Sequence, residues 1–568
     1  MRKAGTIFIN AESAGKERPT MRKMNKRRKE RIEKNILRNR TYKVLIYNRF
    51  ILTLLLVLLQ IVVYALMLVH FYNGFRAVMI TTELLGLLFV LYVINRNEKP
   101  SSKLNWVIMI LAVPVFGVPM YMLFGEGRPT RRMHKRISAA KKENAACLAR
   151  KTGVNPEKRD EEICRYLTRY ADYPLFRDGE VTYYPSGKEM FKDMLAALDR
   201  AEKFILAEYF IVAGGKMWDE FRERLLQKAR QGVQIRLIYD DVGSLLVLPP
   251  KYDRYLEYLH PNIKCFRFNP AVPVFTMRMN NRDHRKILVV DGKVAFTGGI
   301  NLADEYIDEK VRFGVWKDTG VRVTGSAVDS FTVMFFNLWN AFRKDKEKTS
   351  DFLSGAPSGE GAEGDAGAGT QTDLPATGDL SGPGIRPAPV IQPYDDSPLD
   401  RESVGETVYL DIINRARDYV YIFTPYLILD DFMRAAICNA AKRGVDVRIV
   451  TPGIPDKKTV FRLTRSNYAP LLKSGVKIYE YTPGFIHAKS MVSDDLCAVV
   501  GTINLDYRSL YLHFENAVYF SGCPAVLDVK KDGENVFAVS RPISIENTRQ
   551  GFIGRLTDSV LRVFETLV

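Results

Sequence analysis

Cysteine and histidine are both scarce in this chain of 568 residues, with six of each. The cysteines are scattered, and no two of them form a Cys-x-x-Cys pair: Cys147, Cys164, Cys265, Cys438, Cys497 and Cys523. This spacing argues against a zinc knuckle and against a disulfide framework, and it fits a protein of a reducing compartment. We therefore interpret the cysteines as small apolar packing residues and expect no metal ligands among them.

Excess positive charge is missing from most of the chain, although the formal net charge is +18. Residues 1–49 hold sixteen Lys and Arg against four Glu, and residues 125–151 hold nine against two. The remainder is close to neutral, so the sequence lacks the basic groove typical of nucleic-acid-binding domains. The two basic segments flank an apolar region, which favours contact with a membrane that carries anionic headgroups.

The apolar region, at 50–124, contains three candidate membrane segments. Residues 50–69 carry no charge; this matches the ~20 residues that a crossing needs and exceeds the apolar part of a signal peptide. A second candidate span covers 77–94, and a third segment, 106–124, is broken by two prolines and a glycine. Because basic flanks favour the cytoplasm, we expect two crossings of the cell membrane, a re-entrant or interfacial third segment, and a cytoplasmic body.

A stretch without Lys or Arg and with few large apolar side chains divides the body of the chain. Residues 349–385 are rich in Gly, Ala, Pro and acidic residues, so they cannot bury enough surface to offset the entropy of ordering. We predict a disordered acidic linker there, between a first domain at 152–348 and a second at 386–568. A basic cytoplasmic tail, 1–49, and a basic juxtamembrane segment, 125–151, complete the predicted organisation.

The two domains repeat one pattern of elements. In the first, "FILAEYFIV" is followed by a helical stretch and "VQIRLIYD"; in the second, "VYIFTPYLI" is followed by a helical stretch and "VDVRIVTP". Each half is typical of a strand, an amphipathic helix that ends at a glycine, and a second strand. Such βαβ units predict an α/β fold with a largely parallel, two-sided sheet in each domain.

Two of the six histidines begin the same motif, in "HRKILVVDG" and "HAKSMVSDD". In both copies the same spacing joins a His, a Lys, an Asp, a Gly and an Asn: His284, Lys286, Asp291, Gly298 and Asn301 in the first, and His487, Lys489, Asp494, Gly501 and Asn504 in the second. One such match could arise by chance. Two copies on a repeated βαβ scaffold indicate a duplicated functional site.

The chemistry of the motif follows from its residue types. The apolar run after Lys286 predicts a strand, so the His and the Lys project from one face, as nucleophile or acid beside a phosphate-holding cation. The "DG" at Asp291 indicates a hairpin turn, so Asp291 and Asp494 are either catalytic or turn residues. The glycines that follow would let the backbone and the amides of Asn301 and Asn504 approach a phosphate closely.

With these blocks the chain resembles the phospholipase D superfamily and, within it, bacterial cardiolipin synthases. The resemblance covers nearly everything from about residue 77 and rests on three segments: "KPSSKLNWVIMILAVPVFGVPMYMLFGEG", "NNRDHRKILVVDGKVAFTGGINLADEY" and "FIHAKSMVSDDLCAVVGTINLDYRSL". The long linker and the span at 50–69 depart from the usual family pattern. The resemblance implies that two phospholipase D-like sandwich domains form a pseudo-dimer after N-terminal transmembrane helices.

The same resemblance implies a reaction: transfer of a phosphatidyl group from one phosphatidylglycerol to another with release of glycerol, without a metal ion or cofactor. One His forms a phosphohistidine and the other acts as acid and base; we favour His284 as the nucleophile. The motif Lys and Asn residues would hold the phosphate oxygens. An acidic residue would orient each imidazole, with Glu515 matching this position for His487 and Asp318 for His284.

Other functions remain open at this point. A phospholipase D or another phosphatidyltransferase would use the same chemistry with a different acceptor alcohol. The absence of a basic-groove signature argues against a nuclease. The two intact motifs argue against a non-catalytic, membrane-tethered lipid-binding protein. We expect anionic membrane lipids and no nucleic acid as partners. His513 receives no assigned role, and the C-terminal stretch from residue 548 is interpreted as an amphipathic helix that packs on the body.

Overall fold

The structure, a computed structural model, describes residues 62, 72–96, 100–122, 131–149, 160–271, 280–354, 389–400, 402–549 and 551–563. By its internal contacts the chain divides into two units, one of residues 78–248 and 253–568, the other of residues 1–77 and 249–252. The sheets and the candidate site lie in the first of these units. The predicted tail at 1–49 lies outside the described residues, as does the predicted span at 50–69 apart from Val62.

The helices alternate with strands through both halves of the body. The helices are α1 (Tyr72–Ile94), α2 (Pro100–Ala112), α3 (Pro114–Met120), α4 (Arg131–Ala149), α5 (Glu161–Tyr170), α6 (Gly187–Asp199), α7 (Lys216–Arg230), α8 (Asp241–Ser244), α9 (Tyr252–Leu259), α10 (Val328–Phe342), α11 (Val404–Arg415), α12 (Asp431–Lys442), α13 (Lys458–Ser466), α14 (Tyr468–Lys473), α15 (Tyr507–Tyr511), α16 (Ala525–Ala538) and α17 (Phe552–Val563). Short 3₁₀ helices cover Asp304–Ile307, Thr349–Phe352 and Ile545–Thr548.

The strands form two large sheets and one short ladder. In the first half they are β1 (Val181–Tyr184), β2 (Phe204–Tyr209), β3 (Gln234–Asp240), β4 (Ile263–Phe268), β5 (Ile287–Val290), β6 (Val294–Gly298), β7 (Val315–Lys317) and β8 (Gly320–Thr324). In the second half they are β9 (Val390–Asp396), β10 (Tyr419–Phe423), β11 (Asp446–Pro452), β12 (Lys477–Tyr481), β13 (Gly484–Ile486), β14 (Ser490–Ser493), β15 (Cys497–Gly501), β16 (Glu515–Ser521) and β17 (Ser540–Ile543).

The same sheet is built twice. The first sheet has the order β1-β8-β6-β5-β2-β3-β4, and the second has β9-β16-β15-β14-β10-β11-β12 with β17 added at its edge. In both, the three strands of the βαβ region are parallel, and the remaining strands are antiparallel to their neighbours. The predicted α/β fold with a repeated βαβ unit is confirmed, and β8 is the counterpart of β16.

The central strands are buried on both faces, which explains their nearly continuous apolar sequences. All six residues of β2 and all four of β5 are buried. Helix α10 is buried along most of its length and carries Phe335 and Trp339, which stack with ring centroids 5.6 Å apart. Burial of this kind contributes about 25 cal/mol per Å² of apolar surface, so the core fixes the strands that carry the motifs.

The apolar N-terminal region is helical where it is described. The predicted second span, 77–94, falls in α1, and the third segment, 106–124, is divided between α2 and α3 at Pro114. Pro114 occupies the first position of α3, where the helix needs no N–H from it. Within the described residues, no helix is both long and apolar enough to span a membrane. The crossings predicted from the sequence are therefore not confirmed.

The predicted linker begins too early. Thr349 and Phe352 are buried in a 3₁₀ helix, and the Ser354 backbone N–H donates to Asp329 at 2.7 Å. The ring of Phe352 also anchors this segment, because it packs edge-on against Phe204 with centroids 5.0 Å apart. The ordered first half thus extends at least to residue 354, and residues 355–388 lie outside the described residues.

Candidate active site

Both motif histidines stand just ahead of a central strand and are held by backbone from the opposite half. The His284 N–H donates to the Phe514 carbonyl at 2.9 Å, and the His487 N–H donates to the Lys317 carbonyl at 2.7 Å. These bonds continue two short parallel pairings, Asp283 with Phe514 and β13 with β7. Each motif is therefore placed by the other half of the chain.

The parallel pairings decide which carboxylate faces which imidazole. In such a ladder, residues that follow a paired position lie side by side, so His284 comes next to Glu515 and His487 next to Asp318. The Nδ1 of His284 is 2.9 Å from both carboxylate oxygens of Glu515. The Nδ1 of His487 is 2.7 Å from Oδ2 of Asp318. The two carboxylates are the predicted ones, but the predicted pairing was wrong: each serves the histidine of the other half.

Each carboxylate is itself fully buried and held in place. The hydroxyl of Thr502 donates to Oε2 of Glu515, and the backbone N–H of Thr319 donates to Oδ1 of Asp318 at 2.9 Å. The pKa of Glu515 lies well below its ordinary value: burial raises it, but the charge interactions and hydrogen bonds with His284 and His513 together lower it by more. Glu515 is thus a fixed negative charge behind His284.

These contacts set the tautomer of both imidazoles. An N–H at Nδ1 donates to the carboxylate, so the lone pair of a neutral ring is at Nε2. Burial lowers the pKa of His284 to about 3 and that of His487 to about 4, although the carboxylates oppose this shift. Both rings are therefore neutral at pH 7 in the substrate-free protein and present Nε2 as a nucleophile or base.

The two motif lysines flank the histidines. Each precedes its strand by one residue, and its Nζ donates to the backbone carbonyl of the His two positions earlier, Lys286 to His284 and Lys489 to His487. An ammonium has three donors, so two remain for a ligand. Burial lowers the pKa of Lys286 to about 8 and that of Lys489 to about 7. The predicted proximity of His and Lys is found, although both lie before the strand rather than on it.

The motif aspartates lie at the far end of the strands, on the order of 15 Å from the lysines at about 3.3 Å per residue. Asp291 accepts from the backbone N–H groups of Glu202, Lys203 and Phe204 at 2.8, 2.7 and 2.8 Å. Asp494 accepts in the same way from three residues, at 2.8, 3.0 and 2.8 Å: Arg417, Asp418 and Tyr419. Of the two roles that the sequence leaves open for these aspartates, the contacts favour that of a turn residue, and both residues have φ of 55°.

The two motif asparagines differ in how many hydrogen bonds their side chains make within the protein. Asn301 accepts from the Ile211 N–H at 3.0 Å and donates to the Tyr306 hydroxyl at 2.7 Å. Asn504 donates to Asp506 at 3.1 Å, while its Oδ1 is buried without a hydrogen-bond partner. Phosphate binding by the two asparagines stays a prediction. The hydrogen bond from Asn301 positions the side chain of Tyr306.

Aromatic rings form the walls of the site. Tyr306 and Trp316 lie against His487, with ring centroids 5.5 and 5.4 Å away. Phe210 lies 5.0 Å from the His284 ring. His513, which the sequence analysis left without a role, lies 5.5 Å from His284 and has its Nδ1 3.6 Å from Oε1 of Glu515.

Three side chains of this site could in principle hold a metal ion. The ligand atoms of His284, His513 and Glu515 lie within 4.8 Å of one another. The two Glu515 oxygens already accept hydrogen bonds from His284 and Thr502. We therefore assign no metal ligands here.

A buried ion network lies beneath the first motif. Arg285, between His284 and Lys286 in sequence, is 2.7 Å from Glu208 and 3.3 Å from Asp283. Its guanidinium also lies 3.5 Å from Asp395 of the second half. Because removing one partner of a buried ion pair leaves an uncompensated charge, this network fixes the segment that carries His284.

Comparison with known proteins agrees with this architecture. The family model described as "Cardiolipin synthase, PLD-like domain" matches residues 194–332 and 409–536, and the one described as "Phospholipase_D-nuclease N-terminal" matches 84–126. The chain is 30% identical over 494 residues to a cardiolipin synthase of Geobacillus kaustophilus, covering 85% of this chain and 92% of the relative. It is 43% identical over 463 residues to an uncharacterized protein of Streptococcus mutans, covering 80% and 94%.

Among solved structures, the phosphatidylserine synthase of Haemophilus influenzae matches with a TM-score of 0.52 at 14% identity, covering 72% of this chain and 98% of that one. At this identity the likeness concerns the fold. Taken with the relatives, the duplicated sheet and the paired His-Lys segments define a phosphatidyltransferase of the phospholipase D type. Within that superfamily, the chain belongs to the bacterial cardiolipin synthase family.

Proposed function

We propose that the protein is a membrane-bound cardiolipin synthase that transfers a phosphatidyl group from one phosphatidylglycerol to a second and releases glycerol. The observation that supports a single shared site is the crossed pairing of His284 with Glu515 and of His487 with Asp318. Neither half supplies a complete His-carboxylate pair by itself. The choice of phosphatidylglycerol as substrate rests on the relatives.

In the first step, Nε2 of His284 attacks the phosphorus of the donor lipid. A nitrogen–phosphorus bond forms, the bond from phosphorus to the glycerol oxygen breaks, and His487, as an imidazolium, gives its proton to that oxygen. The negative charge of the bound phosphodiester favours this protonated form of His487. Asp318 stabilises it, since its carboxylate contacts Nδ1 of the same ring.

In the second step, His487 is neutral and accepts a proton from a hydroxyl of the second phosphatidylglycerol. That oxygen attacks phosphorus, the nitrogen–phosphorus bond breaks, and His284 is restored. Lys286 and Lys489 hold the non-bridging oxygens while charge builds in both steps. We assign Asn504 a supporting contact through the second N–H of its amide nitrogen, because the first donates to Asp506 at 3.1 Å and an amide nitrogen has two donors.

Attachment to the membrane is part of the proposal and rests on composition. The apolar region with its two candidate spans, 50–69 and 77–94, lies between the basic segments at 1–49 and 125–151. Two crossings keep both basic segments inside the cell and favour a cytoplasmic body. An engineered cysteine placed after residue 152 tests the orientation. We expect no labelling from outside intact cells; clear labelling there would contradict the cytoplasmic placement.

Labelled phosphatidylglycerol added to membranes that contain the protein tests the reaction. We expect cardiolipin and glycerol in equal amounts, unaffected by a chelator. Release of phosphatidic acid would indicate a phospholipase D. Formation of a different phosphatidyl ester would indicate another acceptor alcohol, and absence of turnover would indicate a non-catalytic protein. His284→Ala and His487→Ala should each abolish the product, whereas His134→Ala, on the exposed side of α4, is the matched control. Substantial activity in either of the first two variants would contradict a shared site.

A further inference from the structure

The two halves of the site differ at one position beside the histidines. Phe514 and Lys317 are equivalent, because each accepts the backbone N–H of a motif histidine. The residues that precede them are therefore also equivalent: His513 beside His284, and Trp316 beside His487. Their ring centroids lie at nearly the same distance from the motif imidazole, 5.5 and 5.4 Å.

This difference gives the two motif imidazoles unequal surroundings. Asp318 contacts one imidazole, His487, while Glu515 faces both His284 and His513. Trp316 carries no charge in any state, whereas His513 is an ionisable ring. A carboxylate that is shared between two imidazoles stabilises a positive charge on either of them less than a carboxylate devoted to one.

We propose that His513 is a positioning residue that distinguishes the two motif histidines and keeps His284 as the nucleophile. This inference rests on the proposed function, since it concerns the division of roles in the two-step transfer. A nucleophile needs a free lone pair at Nε2, and a general acid needs a proton there. By sharing Glu515, His513 disfavours the imidazolium of His284 and leaves His487 as the acid.

The position of His513 is well defined. Its backbone N–H donates to the Arg508 carbonyl at 2.9 Å, and its side chain is 11% exposed. Its ring stacks on Phe210 with centroids 6.5 Å apart, and the same phenyl ring contacts His284 edge-on. Phe210 and Glu515 thus hold both imidazoles in one arrangement.

The charged groups that face His284 act on its imidazolium in opposite directions, and His513 is one of the two that disfavour it. They are Glu515, which favours the imidazolium, and Lys286 and His513, which disfavour it. The pKa of His284 is lowered further by burial than that of His487, to about 3 against about 4. This order agrees with the roles that the geometry suggests.

Mapping the covalent intermediate tests the assignment. The full-length protein in membranes is mixed with labelled phosphatidylglycerol and quenched in alkali, which preserves phosphohistidine, and the labelled peptide is identified by mass spectrometry. We expect the label on the peptide that contains His284. In the doubly exchanged variant, His513→Trp with Trp316→His, the label should move wholly or partly to His487. Label on His487 in the natural protein would overturn the proposal.

The pH profile of His513→Asn provides a second measurement that does not need the exchanged variant to fold. Loss of a neighbouring imidazole that shares Glu515 should move the acidic limb of kcat/KM upward by about one pH unit. His134→Asn, an exposed substitution of the same kind, should leave the limb in place. If the acidic limb is unmoved in His513→Asn and turnover is normal, the proposal is contradicted, and His513 only lines the site. Failure of the proposed function is distinct, because the natural protein itself would then give no cardiolipin.

Discussion

His284 in the first half and Glu515 in the second are in direct contact, with Nδ1 2.9 Å from both carboxylate oxygens. The reciprocal contact joins His487 to Asp318 at 2.7 Å. The crossed pairing follows from two parallel ladders between the halves. They place His284 beside Glu515, the first residue of β16, and His487 beside Asp318, which follows β7. The duplicated domains are therefore functionally interdependent at the level of single hydrogen bonds.

Neutralising either carboxylate should impair catalysis more than folding. Glu515→Gln keeps the size of the side chain but offers an amide that also stabilises the wrong tautomer of His284. Loss of the equivalent carboxylate in a Ser-His-Asp triad costs about 10⁴-fold in kcat, and we expect a loss of about 10²-fold or more here. Initial rates of cardiolipin formation measure it, with circular dichroism to verify folding. Near-normal rates in both Glu515→Gln and Asp318→Asn would contradict an orienting role.

The crossed pairing itself can be tested by a double-mutant cycle on the free energy of unfolding. His284→Ala and Glu515→Gln should couple by about 1.5–3 kcal/mol, the range for a hydrogen bond to a charged group. The control cycle combines His487→Ala with Glu515→Gln, which do not share the hydrogen bond, and should show a smaller coupling. Equal coupling in the two cycles would contradict the crossed pairing, and a larger coupling in the control cycle would favour the pairing inferred from the sequence.

Much of this architecture could be inferred from the sequence, because it depends on periodic patterns. The apolar runs around Leu206 and Ile422, each followed by an amphipathic helix, predicted the parallel strands. The spacing from His284 and His487 predicted the paired site. The carboxylate pairing could not be inferred, since Glu515 is closer in sequence to His487 and the ladder that brings it to His284 joins segments more than 200 residues apart.

His513 shows a signal that was present but unused. It stands two residues before Glu515, as Trp316 stands two residues before Asp318. Aligning the halves on their carboxylates, in addition to their histidines, would have singled out this position. Asp291 shows what motif spacing alone cannot decide. It recurs at the same position in both motifs, yet its contacts are those of a turn residue, and spacing does not distinguish a turn residue from a catalytic one.

Substitution of the motif aspartates should reduce stability and leave the chemistry of the folded protein intact. Asp291→Asn tolerates the positive φ but removes the charge that three backbone N–H groups approach. We expect a loss of about 1–3 kcal/mol in the free energy of unfolding, with kcat per folded molecule unchanged within about threefold. Thermal denaturation measures the loss of stability, and rates normalised to folded protein measure kcat. Asp494→Asn, the equivalent substitution in the second motif, should behave in the same way. A rate loss of about 10²-fold without loss of stability would return Asp291 to the catalytic group.

The basic limb of the pH profile should report the lysines. An ammonium is charged below its pKa and neutral above it, and burial lowers the pKa of Lys489 to about 7 and that of Lys286 to about 8. Since kcat/KM reports groups of the free enzyme, it falls with pH above the pKa of His487, about 4. The fall should become steeper as pH rises from about 7 to above 8, when the phosphate also loses its cationic partners. Lys489→Arg keeps its charge over this range, so a variant that retains activity should have its basic limb at higher pH. The measurement is kcat/KM between pH 5.5 and 9.5 at constant ionic strength. A profile whose slope does not steepen up to pH 9.5 would show that neither lysine loses its proton in this range.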